Sequence, residues 1–101
     1  MSKPDLSSVK EYLGDAVRGK SDALLGSVLA AEAAAQARVC RVDEANYPAD
    51  LAEALCRRVA ANLARRSLPL GIQDAELGGT RVGADPEVRR LEAPHRRLVV
   101  G

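Results

Sequence analysis

The side chains that could perform chemistry are few in this sequence and are spread along its length. His95 is the only histidine, and it lies between Pro94 and Arg96 with no serine, cysteine or carboxylate motif beside it. Catalysis requires titratable or nucleophilic groups that converge on one place. We therefore expect no enzymatic activity and no cofactor, and we interpret His95 as a solvated or interface residue.

The cysteines and carboxylates do not form a recognisable set of metal ligands. Cys40 and Cys56 are too few for a metal cluster and lack the C-x-x-C spacing of one. In a cytoplasmic chain, two lone cysteines are most often small buried hydrophobic residues. Asp43 and Glu44 could hold a cation only if other ligands came from elsewhere. The sequence therefore predicts no metal site.

Positive charge is concentrated in the second half of the chain. Residues 1–50 carry six Lys or Arg and eight Asp or Glu, whereas residues 51–101 carry nine and six. All nine bases of the second half are arginine, which suits bidentate contacts with carboxylates or phosphates. This half is therefore better equipped to bind an acidic surface, although a solvated basic face is the simpler interpretation.

Nucleic-acid binding is the strongest competing interpretation of these arginines. Arg57, Arg58, Arg65 and Arg66 lie on one predicted helix, off its apolar row, and could meet phosphates. Helix-turn-helix proteins, however, join their two helices by a turn of three or four residues, and the connection 39–50 is longer. Aromatic residues that stack on bases are also nearly absent. We do not expect sequence-specific DNA recognition.

The clearest of the elements that must position these side chains is a helix from Asp50 to Arg66. Tyr47-Pro48 favours an extended backbone before it, Asp50 is its predicted N-cap, and Glu53 would complete a capping box. The sequence after Arg66, Ser-Leu-Pro, ends the helix. Apolar residues recur every four positions and form the predicted core seam, which consists of Leu51, Leu55, Val59 and Leu63.

Three further helices are predicted around this one. A short helix begins at Asp5 or Ser7 and ends at Gly14, and a long alanine-rich helix runs from Ser21 or Asp22 to about Val39. Asp85-Pro86 opens a fourth, with aspartate as its cap, proline at its first position, and Val88 and Leu91 facing inward. The residues of the long helix predicted to face inward are Leu24, Leu25, Val28, Leu29, Ala31, Ala35 and Val39.

The pattern as a whole predicts an all-α fold with a single domain over residues 1–101. We expect a small bundle of about four helices, with a long flexible loop over 66–84 between the third and fourth helices and an extended C-terminal tail over 94–101. No apolar run approaches the ~20 residues that span a bilayer, and the polar N-terminus does not resemble a signal peptide. We expect a cytoplasmic, non-membrane chain.

The predicted core is unusually rich in alanine. Eighteen of the 47 apolar residues are alanine, and the chain contains no Phe or Trp. A buried methyl group contributes far less than a leucine or an aromatic ring, so an isolated subunit should be marginally stable. Association with neighbouring subunits would then stabilise the fold. A small, well-formed Leu/Val/Ala bundle that is stable alone is the competing interpretation.

The sequence resembles the small head-to-tail connector proteins (adaptor or head-completion proteins) of long-tailed bacteriophages. The resemblance covers nearly the whole chain, including a short helix that ends in Tyr12-Leu13-Gly14, the long alanine-rich helix and the helix that follows Tyr47-Pro48. His95 departs from the pattern, which usually has tyrosine at this position. The segments that carry the likeness are Ala64–Gly71, Thr80–Val82 and Asp85–Arg97, the last with an acidic cap, a Val, a Leu and Pro-x-Arg-Arg.

The resemblance implies a structural rather than an enzymatic role. Connector subunits are all-helical and assemble as a ring, typically of twelve copies, under the portal of a filled head. The ring extends the DNA channel, through which DNA passes without sequence-specific binding, and presents a platform to the next neck or tail-completion protein. This role implies assembly in the bacterial host cytoplasm and a final location in the virion, at the head–tail junction.

The resemblance also implies which residues lie at the portal or subunit interface. The final helix and tail, 88–100, would reach toward the portal or a neighbouring subunit, and deletion of 94–101 would abolish attachment while leaving the helices intact. The alternative function is a small helical regulatory or partner-binding module, including one associated with nucleic acid. The implied interface residues are the arginines Arg89, Arg90, Arg96 and Arg97, the ring of His95, and an apolar anchor of Leu98, Val99 and Val100.

Overall fold

A computed structural model describes residues 2–66 and 85–97, and in this part of the chain the regular elements are helices joined by turns, with one isolated β-bridge. The predicted all-α fold is confirmed. The predicted loop, except for Arg66, and residues 98–101 of the predicted tail lie outside the described residues. The α-helices within these two ranges are α1 (Leu6–Leu13), α2 (Asp22–Val39), α3 (Ala49–Arg66) and α4 (Pro86–Glu92), with 3-10 turns at Gly14–Val17 and Ala93–His95.

Three of the four helices begin where their capping residues predict. The Asp5 carboxylate accepts a hydrogen bond from the Ser8 amide at 2.8 Å, and the Ser21 hydroxyl accepts one from the Leu24 amide at 3.1 Å. Asp85 caps α4 in the same way, with Pro86 at the first helical position. Gly14 ends α1 with a φ of 56°, a conformation that favours glycine.

The predicted capping box of α3 is wrong. The helix begins at Ala49, and Asp50 lies inside its first turn rather than at the cap. The carboxylate of Asp50 accepts a hydrogen bond from the Leu51 amide at 2.9 Å and also pairs with His95, and that of Glu53 accepts a hydrogen bond from the Tyr12 hydroxyl. Both acidic groups therefore contact other segments, and Asp50 still accepts one amide of the first turn.

Helix α3 lies at the centre of the structure and packs against α1, α2 and α4. Its predicted seam lies in the core: Leu51, Leu55 and Val59 are fully buried and Leu63 is 5% exposed. The other helices cover this seam with leucine and valine side chains. Their fully or almost fully buried residues are Val9 of α1, Leu25 and Val28 of α2, and Val88 of α4.

The inward face of α2 differs from the prediction in its second half. Ala31 is exposed, whereas Glu32 and Gln36 are buried. Both polar residues continue the three- and four-residue spacing of Leu25 and Leu29, so they lie on the same side of the helix. They are buried beside α3 and α4, which supply hydrogen-bonding partners for both side chains, as described below.

None of the described helices combines the length and apolarity that a membrane span requires.

The chain after α4 returns to the end of α2. Cys40 and Arg96 form an isolated antiparallel bridge, in which the Arg41 amide donates to the His95 carbonyl at 2.9 Å. The Arg97 amide donates to the Val39 carbonyl at 2.8 Å and so satisfies one of the last carbonyls of α2. The first part of the predicted tail is therefore a 3-10 turn followed by a short extended segment attached to α2.

Candidate functional site

A cluster of buried polar side chains joins α4 to the middle of α2 and α3. Arg58 of α3 is 4% exposed, and Glu92 of α4 is completely buried. The guanidinium donates to both oxygens of the Glu92 carboxylate, at 2.6 Å from Nε and 2.9 Å from Nη2. Glu32 of α2 provides a second carboxylate at 3.5 Å from Nη1. We call Arg58, Glu92, Glu32, Gln36 and Tyr47 the buried polar cluster.

Gln36 and Tyr47 complete the hydrogen bonding of this cluster. The Gln36 amide nitrogen donates to Glu92 at 3.0 Å and to the Leu51 carbonyl at 3.1 Å, and its oxygen accepts from the Tyr47 hydroxyl. Asn62 donates to the Glu32 carboxylate at 2.8 Å. Burying a charge without partners would cost several kcal/mol, and here each charged group has at least two. The cluster therefore fixes where α4 lies.

The electrostatics of the cluster favour a structural rather than an acid–base role. Burial opposes the charged form of Arg58, but hydrogen bonds from its guanidinium to Glu92 and the Glu92 charge outweigh burial and raise the pKa of Arg58. Burial is the main reason that the pKa of Tyr47 is raised to about 12. Arg58 is therefore cationic and Tyr47 neutral near pH 7, so neither can exchange a proton readily there.

The two cysteines are unreactive in this environment. Cys40 is fully buried and Cys56 is 6% exposed, and both are free thiols. Burial, reinforced by the negative charge of Glu92, raises the pKa of Cys40 to about 11, and burial also raises the pKa of Cys56. Since the thiolate is the nucleophile and the metal ligand, neither residue is activated for chemistry near neutral pH.

His95 has a carboxylate partner that is distant in the sequence. Its Nε2 atom lies 2.8 and 2.9 Å from the two oxygens of Asp50, which is 45 positions away. The His95 side chain is 26% exposed and the Asp50 side chain 37%. The sequence shows no carboxylate motif beside His95, but the fold brings Asp50 to it; its assignment to an interface stays a prediction. The pair attaches the 3-10 turn after α4 to the first turn of α3.

The other predicted interface residues are found in two different settings. Arg90 is exposed and pairs with Glu87 on the same helix, and half-buried Arg96 lies 3.5 Å from Glu92. Arg89 and Arg97 are exposed and have no acidic partner within 4.0 Å among the described residues. The predicted apolar anchor, 98–100, lies outside the described part of the chain.

Sequence reasoning missed most of the buried polar cluster. Arg58 was expected to lie off the core row, yet it is buried, because Glu32 and Glu92 supply opposite charge inside the fold. Arg58 is therefore not available to contact phosphates. The available signal was the position of Glu32 and Gln36 in phase with the apolar residues of α2.

Away from the buried polar cluster, the described residues form no group of metal-ligating side chains. Within the ranges 2–66 and 85–97, no group of three His, Cys, Asp or Glu side chains could hold a metal ion. A groove of about 370 Å³ between the 3-10 turn after α1 and the end of α3 contains Lys20 as its only charged group, and its other lining residues are Leu13, Ala16, Ala60, Leu63 and Ala64. An apolar groove with one lysine suits contact rather than catalysis.

Comparisons with known proteins identify no relative of this chain. No family model matches the sequence, and no curated protein or solved structure matches it significantly. The fold and the site together define a small all-α protein whose last helix is fixed by a buried polar cluster.

Proposed function

We propose that this chain is a structural protein of the neck of a long-tailed bacteriophage. Copies of the chain would form a ring, twelve in typical connectors, under the portal. The ring would join the DNA-filled head to the tail and extend the DNA channel, with no enzymatic activity and no sequence-specific DNA binding. The protein would act at the head–tail junction of the virion after synthesis in the host cytoplasm.

The observation that carries this proposal is the segment Asp85–Arg97, which bears the most specific part of the resemblance. Its acidic residue caps α4, its proline occupies the first helical position, and Val88 and Glu92 face the interior. Pro94 lies in the 3-10 turn, and Arg96 forms the bridge to Cys40. Residues of this segment thus hold the last helix and the start of the tail in place, which supports a structural role for it.

The surface of α2 also supports assembly into a ring. Ala30, Ala31 and Ala34 are exposed on this helix, and their small side chains allow a neighbouring helix to approach closely. Closing a ring satisfies every subunit interface, whereas an open arc leaves two interfaces unpaired. Docking on a symmetric portal then repeats one modest contact many times, so avidity holds the neck together.

The direct test is to locate the chain in particles of its parent phage. Deleting the gene should give DNA-filled heads and separate tails, and adding the purified chain should restore joining. Labelling of wild-type particles should place the chain at the vertex where the tail attaches. Mature, infectious particles without the chain would contradict the proposal, and so would turnover of a small molecule by the purified protein.

The structure changes how the role of the tail should be tested. Deleting 94–101 would remove the His95–Asp50 pair and the bridge at Arg96, so a loss of attachment could reflect a damaged fold. Deleting 98–101 keeps both contacts. If the tail is an anchor, this shorter deletion should preserve the helical circular dichroism signal and abolish attachment to heads. Normal head completion by the shortened chain would contradict the anchor role.

A further inference from the structure

A small pocket lies between α1 and the first two turns of α3. It has a volume of about 270 Å³, and we call it the Tyr12 pocket. Its lining residues within each helix are three or four positions apart, so each helix contributes one face. The pocket is therefore shaped chiefly by two packed helices. The lining residues are Ser2 and Pro4 of the N-terminal segment, Ser8 and Tyr12 of α1, and Ala49, Ala52, Glu53 and Cys56 of α3.

Tyr12 stands out on the surface of the described ranges, 2–66 and 85–97. Within them it is the only large hydrophobic residue that is exposed, at 43%. Its hydroxyl donates to the Glu53 carboxylate, which holds the side chain at the pocket. Burial, followed by this hydrogen bond, raises the pKa of Tyr12, so the hydroxyl keeps its proton near pH 7. An exposed tyrosine that is held in place in this way is typical of protein recognition sites.

The carboxylate of Glu53 has no cation of its own among the described residues. Glu53 is half-buried, and within that part of the chain no Lys, Arg or His nitrogen lies within 4.0 Å of its oxygens. The bond from Tyr12 uses Oε2, so Oε1 can accept from a ligand. Arg57, one turn further along α3, does not line this pocket but a second one, beside Asp85. Glu53 is therefore a partly desolvated negative charge that a ligand can neutralise.

These groups determine the charge of a suitable ligand. The carboxylate attracts a cation and repels an anion, and the face of an aromatic ring also attracts cations. A metal ion would need further ligands, and the described residues contain no group of three His, Cys, Asp or Glu that could supply them. A guanidinium suits the site, because its plane can stack on the ring of Tyr12 while an N–H group donates to Glu53.

We propose that the Tyr12 pocket binds an arginine side chain presented by a partner protein. The guanidinium stacks on the Tyr12 ring and donates to Oε1 of Glu53, while its methylene groups contact Pro4. The volume lies below the ~300–1,000 Å³ of typical small-molecule sites and suits one side chain. The lining residues Ser8 and Ala49 are exposed, so the backbone that carries the arginine can lie across the rim. The proposal goes beyond the neck function and does not rest on it.

The test is a nuclear magnetic resonance titration of the ¹⁵N-labelled full chain with three probes. The first is acetyl-Gly-Arg-Gly-amide, and the second has citrulline in place of arginine, which keeps the shape and removes the charge. The third is agmatine, which carries a guanidinium without a peptide backbone. An ionic strength of about 0.15 M screens distant exposed charges. We expect the arginine peptide, but not the citrulline peptide, to shift the amide signals of Tyr12, Ala49 and Ala52, with a dissociation constant of about 1 mM.

Three variants assign this binding to the pocket. Glu53→Gln keeps an acceptor for the Tyr12 hydroxyl but removes the charge, and should weaken binding of the arginine peptide about tenfold or more. Tyr12→Leu removes the ring and should weaken binding about two- to fivefold. Glu11→Gln is the matched control, because it changes net charge equally at an exposed position of α1 that does not line the pocket. Circular dichroism and thermal melting establish that each variant is folded.

The contrary outcomes are specific to each part of the proposal. Equal binding of the arginine and citrulline peptides would overturn the cation site, and so would unchanged binding by Glu53→Gln. An equal loss in Glu11→Gln would show a general effect of charge rather than a pocket. Agmatine that binds tenfold more tightly than the arginine peptide would indicate a small-molecule site and exclude the partner protein. These results leave the neck function untouched, since that function is tested on phage particles.

Discussion

Helix α3 makes buried contacts of two different chemical kinds. One is the apolar seam that includes Leu55, and the other is the buried polar cluster around Arg58, three positions along the same face of the helix. Leu55 is completely buried and Arg58 is 4% exposed, so burial does not distinguish the two residues. They differ in what a missing partner costs: the seam loses contact area, whereas the cluster is left with an unpaired charge. The seam should therefore tolerate conservative change and the cluster should not.

The largest effect is expected from removing the cation of the cluster. Arg58→Met keeps an unbranched apolar side chain in place but leaves the fully buried carboxylate of Glu92 without its main partner. Breaking a buried pair in this way costs about 3–5 kcal/mol of unfolding free energy. Urea denaturation followed by circular dichroism measures this loss directly. Arg58→Lys should also be strongly destabilising, since lysine cannot make the bidentate contact.

A second variant shows whether the loss comes from the unpaired charge or from the missing contacts. Arg58→Met with Glu92→Met removes both charges of this pair. Glu32 loses Arg58 in the single and the double variant alike and keeps its hydrogen bond from Asn62, and Gln36 still donates to the Leu51 carbonyl. We expect the double variant to be more stable than Arg58→Met alone, with a coupling free energy of about 2 kcal/mol or more. Equal stability of the single and double variants would contradict this account of the cluster.

The next effect concerns the seam. Leu55→Ala should lower the unfolding free energy by about 2–5 kcal/mol, because a fully buried leucine leaves a cavity. Leu55→Met is the control and should cost less than about 1.5 kcal/mol, since the volume is nearly conserved. Measuring Leu55→Met and Arg58→Lys in the same denaturation experiment directly compares a conservative change in the seam with one in the buried polar cluster. If both conservative changes cost the same, the seam and the buried polar cluster do not differ as proposed.

The sequence predicts those parts of the fold that depend on neighbouring residues. The caps at Asp5, Ser21 and Asp85 each involve hydrogen bonds across two or three positions, so the local pattern is sufficient to locate them. Asp50 was predicted as the cap of α3 but lies in its first turn, where it accepts the Leu51 amide and also pairs with His95, 45 positions away. The second contact is a long-range one, which the local pattern does not predict.

The candidate sites also depend on long-range contacts, which the local sequence pattern does not predict. His95 and Arg97 were identified from the sequence as interface residues, but their relation to Arg41 depends on a bridge between segments 56 residues apart in the chain. The pair of Arg58 and Glu92 spans 34 positions. No helical or strand period connects such positions, so a single sequence does not reveal which arginine is buried and which is free.

Alkaline pH should destabilise the polar side of the core. Burial raises the pKa of Cys40 to about 11 and that of Tyr47 to about 12, above ordinary values of 9.0 and 10.0. Both groups are neutral in the folded chain when the unfolded chain has already lost the proton. Stability from each group is therefore fully present below its unfolded pKa and falls as pH rises, from about 9 to 11 for Cys40 and 10 to 12 for Tyr47.

This pH dependence is measured by urea denaturation in steps from pH 8 upward. Each group contributes a slope of up to about 1.4 kcal/mol per pH unit within its window. Cys40→Ala is the control, because it removes one titrating group and should flatten the slope at the start of the alkaline range. A wild-type stability that is constant to pH 11 would show that Cys40 ionises equally easily in the folded and unfolded chains.

The smallest effect that bears on the comparison is expected from the His95–Asp50 pair. This pair resembles the buried cluster in joining the C-terminal segment to α3, but its side chains are 26% and 37% exposed. Solvent screens such a pair, so His95→Ala should cost less than about 1 kcal/mol, and Asp50→Asn should cost a similar amount. The double variant should cost no more than the sum of the two, which thermal melting at low and high salt can measure. An unpaired charge is costly where solvent is excluded and is screened where solvent is present. A loss as large as that of Arg58→Met would therefore mean that this partly exposed pair contributes as much as the buried polar cluster to holding the last helix in place.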